Sequence, residues 1–217
     1  MKVDIVIPAH NAQATIAETI DSALAQDYSG EFHITVVDDG STDDTGNVAG
    51  CYEDERISIV GTDINSGVAR ARNLGARYTF GEAILFLDAD DKVAPNYLSE
   101  TVPLLKYKAM CGVVSTGMTY FGGIDDGKYT APYLSTPSRN GLPTCSLIRR
   151  KAFESVGGYD PTMVYEDWDL WLRIAQRWEI CLLNLPLFFY RRSLTGRNAW
   201  QDIEKEKYRK QIKERHG

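Results

Sequence analysis

The sequence predicts an α/β protein with a mostly parallel central sheet flanked by helices. Over the first ninety residues, short apolar runs alternate with segments of helical period, the pattern of βαβ units. Residues 83–87 are almost wholly apolar, as a strand covered on both faces must be. Acidic and polar clusters recur directly after the apolar runs, where an open α/β sheet binds ligands.

Residues 3–8 read as the first strand, stopped at Pro8, which has no N–H for the ladder. A helix is expected over 13–25, where Ile16, Ile20 and Leu24 share one face. Residues 32–37 form the second strand. Ser41, Thr42, Asp43, Asp44 and Thr45 then offer side-chain oxygens to cap a helix. A third strand covers 57–60. Asn65, Ser66 and Gly67 open a helix on which Val68, Ala71, Gly75 and Tyr78 follow at helical spacing.

After the fourth strand at 83–87 the alternation loosens. A helix is expected over 96–106, disturbed by Pro103, then an extended run over 112–120. Residues 121–140 are rich in Gly, Asp, Ser, Pro and Tyr and read as a long loop, a class that is commonly functional. A strand at 144–149, a short helix to Val156 and a helix over 166–178 with Trp168, Trp171, Leu172 and Ala175 on its packing face complete the body. The charged tail over 200–215 reads as a solvated peripheral helix with a Glu206–Lys210 pair.

A chain of 217 residues fits one sizeable domain. We expect a single domain over 1–195, with a Rossmann-like nucleotide-binding half at 1–91 and an acceptor half at 92–195, followed by the tail at 196–217. A formal charge of −6 excludes a protein that binds nucleic acid through a broad basic surface. A small anionic ligand then needs local arginines or a bound cation. Cys51, Cys111, Cys145 and Cys181 form no Cys-x-x-Cys pair and read as reduced structural residues. The N-terminus lacks the form of a signal peptide and no run spans a membrane. A cytoplasmic protein is expected, working in solution or peripherally at the inner face of the membrane.

Four segments should converge on one sheet edge: Pro8 to Asn11, Asp38 to Ser41, Asn65 to Gly67, and Asp88 to Asp91. Asp88 and Asp90 lie two apart, so on extended backbone their carboxylates share a side and suit Mg2+ or Mn2+. An isolated Asp-x-Asp is ordinarily a solvated acidic turn; its position at this edge is what argues otherwise. Asp39 either holds a base N–H or caps the next helix, as Asp38 and Ser41 do. His10 approaches a phosphate or covers the sheet edge, and the second reading is preferred. Arg70 and Arg72 point to different faces, so at most one reaches the site. Glu166 and Asp167 open a helix, either as first-turn acids or as a general base.

Five blocks, VDIVIPAHN at 3–11, VVDDGSTDDT at 36–45, NSGVARARNLG at 65–75, ILFLDADD at 84–91 and YEDWDLWLR at 165–173, together resemble the family-2 inverting glycosyltransferases of GT-A fold. The resemblance spans about residue 3 to 173. It implies transfer of a sugar from a nucleotide-diphospho-sugar, a UDP-sugar in the first instance, to a glycan or lipid-linked acceptor in cell-surface polysaccharide or glycoconjugate synthesis. By position it gives Pro8, Ala9 and Asn11 to the nucleotide pocket, Asp39 to its base, Asp88 and Asp90 to ribose and metal-diphosphate with Mn2+ or Mg2+, Asp167 to the role of general base, and Glu166 and Trp168 to the acceptor; Gly67, Arg70 and Ala89 are expected to complete the donor site.

The chain departs from the pattern at Tyr190-Arg191-Arg192-Ser193-Leu194, where many relatives carry Tyr-Arg-x-His; Arg191 or Arg192 stands in as the cation. A nucleotidyltransferase or dehydrogenase needs a Gly-rich loop after strand one, and Pro8-Ala9-His10-Asn11-Ala12 has no glycine. A non-catalytic sugar-nucleotide binder is the other alternative, and intact Asp88, Asp90 and Asp167 argue against it. With no long extension after the last block, a single-addition enzyme is expected rather than a processive synthase.

Overall fold

In the computed structural model of the chain, residues 1–123, 125–192 and 202–217 are described. The first half is β1 (Val3–Ala9), α1 (Ile16–Leu24), β2 (Phe32–Asp39), α2 (Thr45–Gly50), β3 (Ile57–Thr62), α3 (Val68–Arg77) and β4 (Ala83–Phe86). The second is β5 (Lys92–Val93), α4 (Tyr97–Tyr107), β6 (Cys111–Phe121), β7 (Tyr129–Thr130), β8 (Leu147–Arg149), α5 (Arg150–Ser155), α6 (Glu166–Ala175), β9 (Glu179–Arg191) and α7 (Asp202–His216).

One sheet in the order β3-β2-β1-β4-β8-β6-β9-β5 runs through both halves, with β7 paired to β6. The first four strands are parallel. β8 is antiparallel to β4 and β6, and β6 runs parallel to β9. Because β8 is reversed between them, β4 and β6 point the same way, and their carboxyl ends share the edge that carries the site. Alternation along the strands feeds two cores: Ile5, Ile7 and Leu85 face the layer of α1 and α4, whereas Val6, Ile84 and Phe86 face α3, α5 and α6. Gly75 lets α3 close on the sheet, since a Cβ there would strike the Val6 side chain.

The first half follows the sequence reading, with α1 starting three residues later than expected because Ala12 to Thr15 form a turn. Pro103 sits inside α4 without ending it. The region over 121–140 is less open than expected. β7 returns on β6 with Met118 opposite Thr130, and the turn between them uses positive φ at Gly122, Gly123, Asp125 and Gly127. Gly117 leaves room for the Tyr129 ring, whose hydroxyl donates to Asn184 Oδ1.

The tail is mostly exposed, as expected, but it is docked through one face. Ile212 of α7 is fully buried with Met163, Trp168 and Leu172. Arg215 pairs with Asp160 at 2.6 Å, and His216 Nε2 lies 2.8 Å from the buried Asp169 Oδ1. Glu206 is close to Arg209 and Lys210 to Glu214, so the expected Glu206–Lys210 pair is replaced. No described helix is long and apolar enough to cross a membrane, and all four cysteines are free.

Candidate active site

The edge at the carboxyl ends of β1 and β2 is held together by its own polar side chains. Asn11 takes φ 51°, a conformation Asn tolerates, and its Oδ1 accepts the Thr42 N–H at 2.8 Å. Thr45 Oγ1 accepts the Ala12 N–H at 2.7 Å, and Asp43 accepts the N–H groups of Gln13 and Thr45. The segment expected to cap α2 therefore also clamps the turn after β1. His10 Nδ1 lies 2.9 Å from the Asp39 carbonyl oxygen.

Asp39 is buried, and its carboxylate accepts from Ser66 N–H, Gly67 N–H at 2.8 Å, Ser66 Oγ at 2.7 Å and Thr62 Oγ1 at 3.2 Å. It thus pins the turn that opens α3. Gly40, at φ +66°, lets this turn approach, for a Cβ there would come within 2.6 Å of Asn65 N. A cleft of about 230 Å3 opens beside these groups, lined by Pro8, Ala9, His10, Asp39, Asn65, Gly67, Val68 and Ala71. Pro8, Ala9, Asp39 and Gly67 are thus brought together as expected. Asn11 and Arg70 are not in that lining: Asn11 braces the loop beneath, and Arg70 lies exposed with its guanidinium donating to the Ser66 carbonyl.

The arginine that reaches the site is Arg72. It is fully buried on α3 and donates to Asp88 Oδ1 at 2.6 Å and to Glu166 Oε1 at 2.7 Å. This single cation joins the end of β4 to the start of α6. Helical phase held the signal, since Arg72 falls on the same stripe as Ala69 and Ala76 while Arg70 and Arg77 face away. Glu166 is spent on this pair.

The acidic loop after β4 is crowded with negative charge. Desolvation and the Asp88 carboxylate push Asp90 up to about 6. Burial and the Asp90 and Asp88 carboxylates push Asp91 well above the usual range. Asp91 Oδ1 accepts the Arg191 N–H at 2.7 Å, Arg191 Nε donates to the Asp90 carbonyl at 2.8 Å, and its guanidinium pairs with Glu18. Arg191 is thus the cation at this loop, whereas Arg192 pairs with Asp125 in the hairpin turn. Ser193 and Leu194 lie outside the described residues. Ala89 is buried, its carbonyl accepting from Thr15 Oγ1.

Among the described residues no group of three or more His, Cys, Asp or Glu side chains is gathered to hold a metal ion. The donor set still fits one hard cation. No described side chain donates to the Asp90 carboxylate, Asp88 beside it spends one oxygen on Arg72, and the raised Asp90 registers charge that a cation would relieve.

A second cavity, of about 370 Å3, lies between the ends of β4, β6 and β9. Asp88, Asp91 and Asp167 open into it beside Met118, Tyr120, Tyr133, Asn140, Phe188 and Tyr190. Asp167 Oδ2 accepts from Asn140 Nδ2 at 3.1 Å and Thr144 Oγ1 at 3.4 Å, and no described side chain donates to Oδ1. Burial and the Glu166 carboxylate push Asp167 up to about 6, against the backbone amide of Trp168, Arg72 and Asn140, which favour the anion. Such a group is ionised at neutral pH yet basic enough to accept a proton.

Trp168 does not line the cavity. It is buried against Met163, Leu172 and Ile212, and its indole N–H donates to the Thr136 carbonyl at 2.8 Å. Its part is to fasten the 129–144 segment to α6. Asn140 and Thr144 went unread in the sequence because loop residues follow no periodic pattern.

The family model described as glycosyl transferase family 2 matches residues 4–157. EpsE of Bacillus subtilis, described as a glycosyltransferase, is 31% identical over 187 residues, covering 81% of this chain and 67% of EpsE. The Escherichia coli enzyme WfgD, a UDP-Glc:alpha-D-GlcNAc-diphosphoundecaprenol beta-1,3-glucosyltransferase, is 27% identical over 84% of this chain and 73% of its own. Among solved structures, S. aureus TarS 1–349 in complex with UDP-GlcNAc superposes with TM-score 0.77 at 19% identity over 93% of this chain. The mannosyltransferase PcManGT from Pyrobaculum calidifontis, in complex with GDP-Man and Mn2+, gives TM-score 0.77 at 23% identity over 97%. Both likenesses establish the GT-A fold, and the chain spans 62% of each of those two chains.

Proposed function

This chain belongs to glycosyl transferase family 2, and from that premise we propose that it moves a sugar with inversion from a UDP-sugar to an acceptor hydroxyl. Asp167 acts as the general base. The observation that carries this reading is that Asp88 and Asp167 open into one cavity, with an Asp167 oxygen to which no described side chain donates. Asp167 Oδ1 takes the acceptor proton as the hydroxyl oxygen bonds to the anomeric carbon, and the bond to the nucleoside diphosphate breaks. One displacement inverts that carbon.

The nucleoside belongs in the cleft of Pro8, Ala9, Asp39 and Gly67. Asp39 acts there chiefly by holding the wall formed by Ser66 and Gly67. Asp88 and Asp90 hold Mn2+ or Mg2+, which when bound neutralises charge on the leaving diphosphate. Arg191 steadies the acidic loop. The aromatic rim of Tyr120, Tyr133 and Tyr190 suits a sugar-ring acceptor, and a glycan or lipid-linked acceptor in polysaccharide synthesis agrees with the relatives. Work at the inner face of the membrane, on a protein that reaches it peripherally, would fit a lipid-linked acceptor.

Two measurements test the reading. Asp167→Asn should keep UDP-sugar binding by calorimetry and lose transfer by about 10²- to 10⁴-fold; full transfer would remove Asp167 from the chemistry. Chelation should weaken UDP-sugar binding at least tenfold, and an unchanged affinity would remove the metal from Asp88 and Asp90.

A further inference from the structure

We propose that Asn140 is a positioning residue for the base, fixing the Asp167 carboxylate so that order in the acceptor loop and alignment of the base are one event. The inference rests on the reading of Asp167 as base. Both side-chain donors to Asp167, Asn140 Nδ2 and Thr144 Oγ1, come from the segment walling the acceptor cavity, and both meet the same oxygen. The other oxygen is thereby turned to the cavity in one orientation, as a base needs in order to meet a hydroxyl at hydrogen-bond distance.

Asn140 is itself held. Its Oδ1 accepts from Ser135 Oγ at 3.0 Å and from the Leu142 N–H at 3.4 Å, and its carbonyl accepts the Tyr133 hydroxyl at 2.5 Å. Tyr133 lines the cavity, donates its N–H to the Gly141 carbonyl at 3.0 Å and lies under the Arg139 guanidinium at 4.0 Å. A ring that packs on Tyr133 therefore presses on the turn that presents Asn140. The amide assignment follows from these bonds, since Oδ1 faces two donors and Nδ2 faces a carboxylate.

The charged and titratable groups around Asp167 are Glu166 on its own helix, Arg72 from α3, Tyr159 and Tyr165 from the loop before α6, and Asp88 and Asp91 across the cavity. None of them donates a hydrogen bond to Asp167 Oδ2 among the described residues. Asn140 and Thr144 are thus its side-chain donors, beside the backbone amide of Trp168, and Asn140 makes the shorter side-chain bond.

The test is Asn140→Asp, which keeps the oxygen that receives Ser135 and Leu142, removes the N–H donated to Asp167 and sets a second carboxylate oxygen in its place. With UDP-sugar as donor and acceptor at saturation, kcat should fall about 10- to 100-fold. The acid limb of its pH profile should move to higher pH, while calorimetric UDP-sugar affinity stays within twofold. Should Asn140→Asp fail to fold, Asn140→Ala decides, with the same fall in kcat and a smaller move of the limb because no charge is added. An unmoved limb with kcat within twofold overturns the proposal, as does a rise in acceptor KM alone, which a merely structural loop residue would give. If Asp167→Asn is inactive while Asn140→Asp behaves as wild type, only the role of Asn140 falls; if Asp167→Asn is active, the base assignment falls first.

Discussion

Asp39 and Asp167 stand at two ends of one sheet edge and are used in opposite ways. Asp39 accepts from two backbone amides and two hydroxyls, all within its own half of the molecule. Asp167 accepts from two side chains of a single loop, keeps one oxygen free of described side-chain donors and is pushed up to about 6 by burial and Glu166. A carboxylate saturated by the fold is a strut. One left partly unsatisfied and raised toward neutrality can take a proton. The nucleotide side of the site is thus held within its own half, whereas the acceptor side is held by a loop that folds back on α6.

Arg72 is where the two regions are joined, and removing it should break the comparison most severely. Arg72→Met leaves Glu166 buried without its cation and Asp88 without its partner, a loss of about 3–5 kcal/mol. Urea denaturation followed by circular dichroism measures it. A loss under about 1 kcal/mol, below what an uncompensated buried charge costs, would mean that Glu166 is hydrated in solution and that the halves are not joined through this residue. Replacing Glu166 by Gln in the same chain should recover part of the loss, because the uncompensated charge is then gone.

Asp39→Asn should act locally and more weakly. The amide keeps one acceptor oxygen and presents N–H groups to backbone N–H donors, so the turn at Ser66 and Gly67 loses about 1–3 kcal/mol of hydrogen bonding. UDP-sugar affinity should fall with the cleft wall, and hydrogen exchange at Ser66 and Gly67 should speed up. Unchanged exchange at those two amides would show that the turn holds itself and that Asp39 is free to contact the base directly.

The same contrast governs what the sequence made legible. In the nucleotide half the chemistry is local in the chain: strand runs of period two end in the Pro8, Asp39 and Asp88 clusters, so strand order alone brings them to one edge. Reading failed there only in detail, as with Arg72, whose place on the buried stripe of α3 was visible in the helical phase but lost to the more exposed Arg70. In the acceptor half the decisive contacts join segments with no periodic signal. The bonds from Asn140 to Asp167 and from Trp168 to Thr136 depend on how a glycine- and proline-rich segment folds back. The burial of Ile212 against Trp168 depends on a helix that hydropathy marks as solvated. Trp168 was therefore read as an acceptor contact when its indole in fact braces the loop.

The smallest expected effect is the most direct measure of the contrast. With Asp167 at about 6, the ionised base fraction changes little above neutrality and falls roughly tenfold for each pH unit well below 6, about 1.4 kcal/mol per unit. Transfer at saturating donor and acceptor should show an acid limb near that value, and the limb should vanish from the residual activity of Asp167→Asn. Stability should move in the opposite sense. The native Asp167 carboxyl binds its proton more tightly than the unfolded chain does, so this group's contribution to folding declines as pH rises from about 4 toward 6, where the base switches on. If Asp39→Asn shifts the limb as much as Asn140→Asp does, the division between strut and base fails, because the two carboxylates would then be answering to one shared field rather than to their own hydrogen bonds.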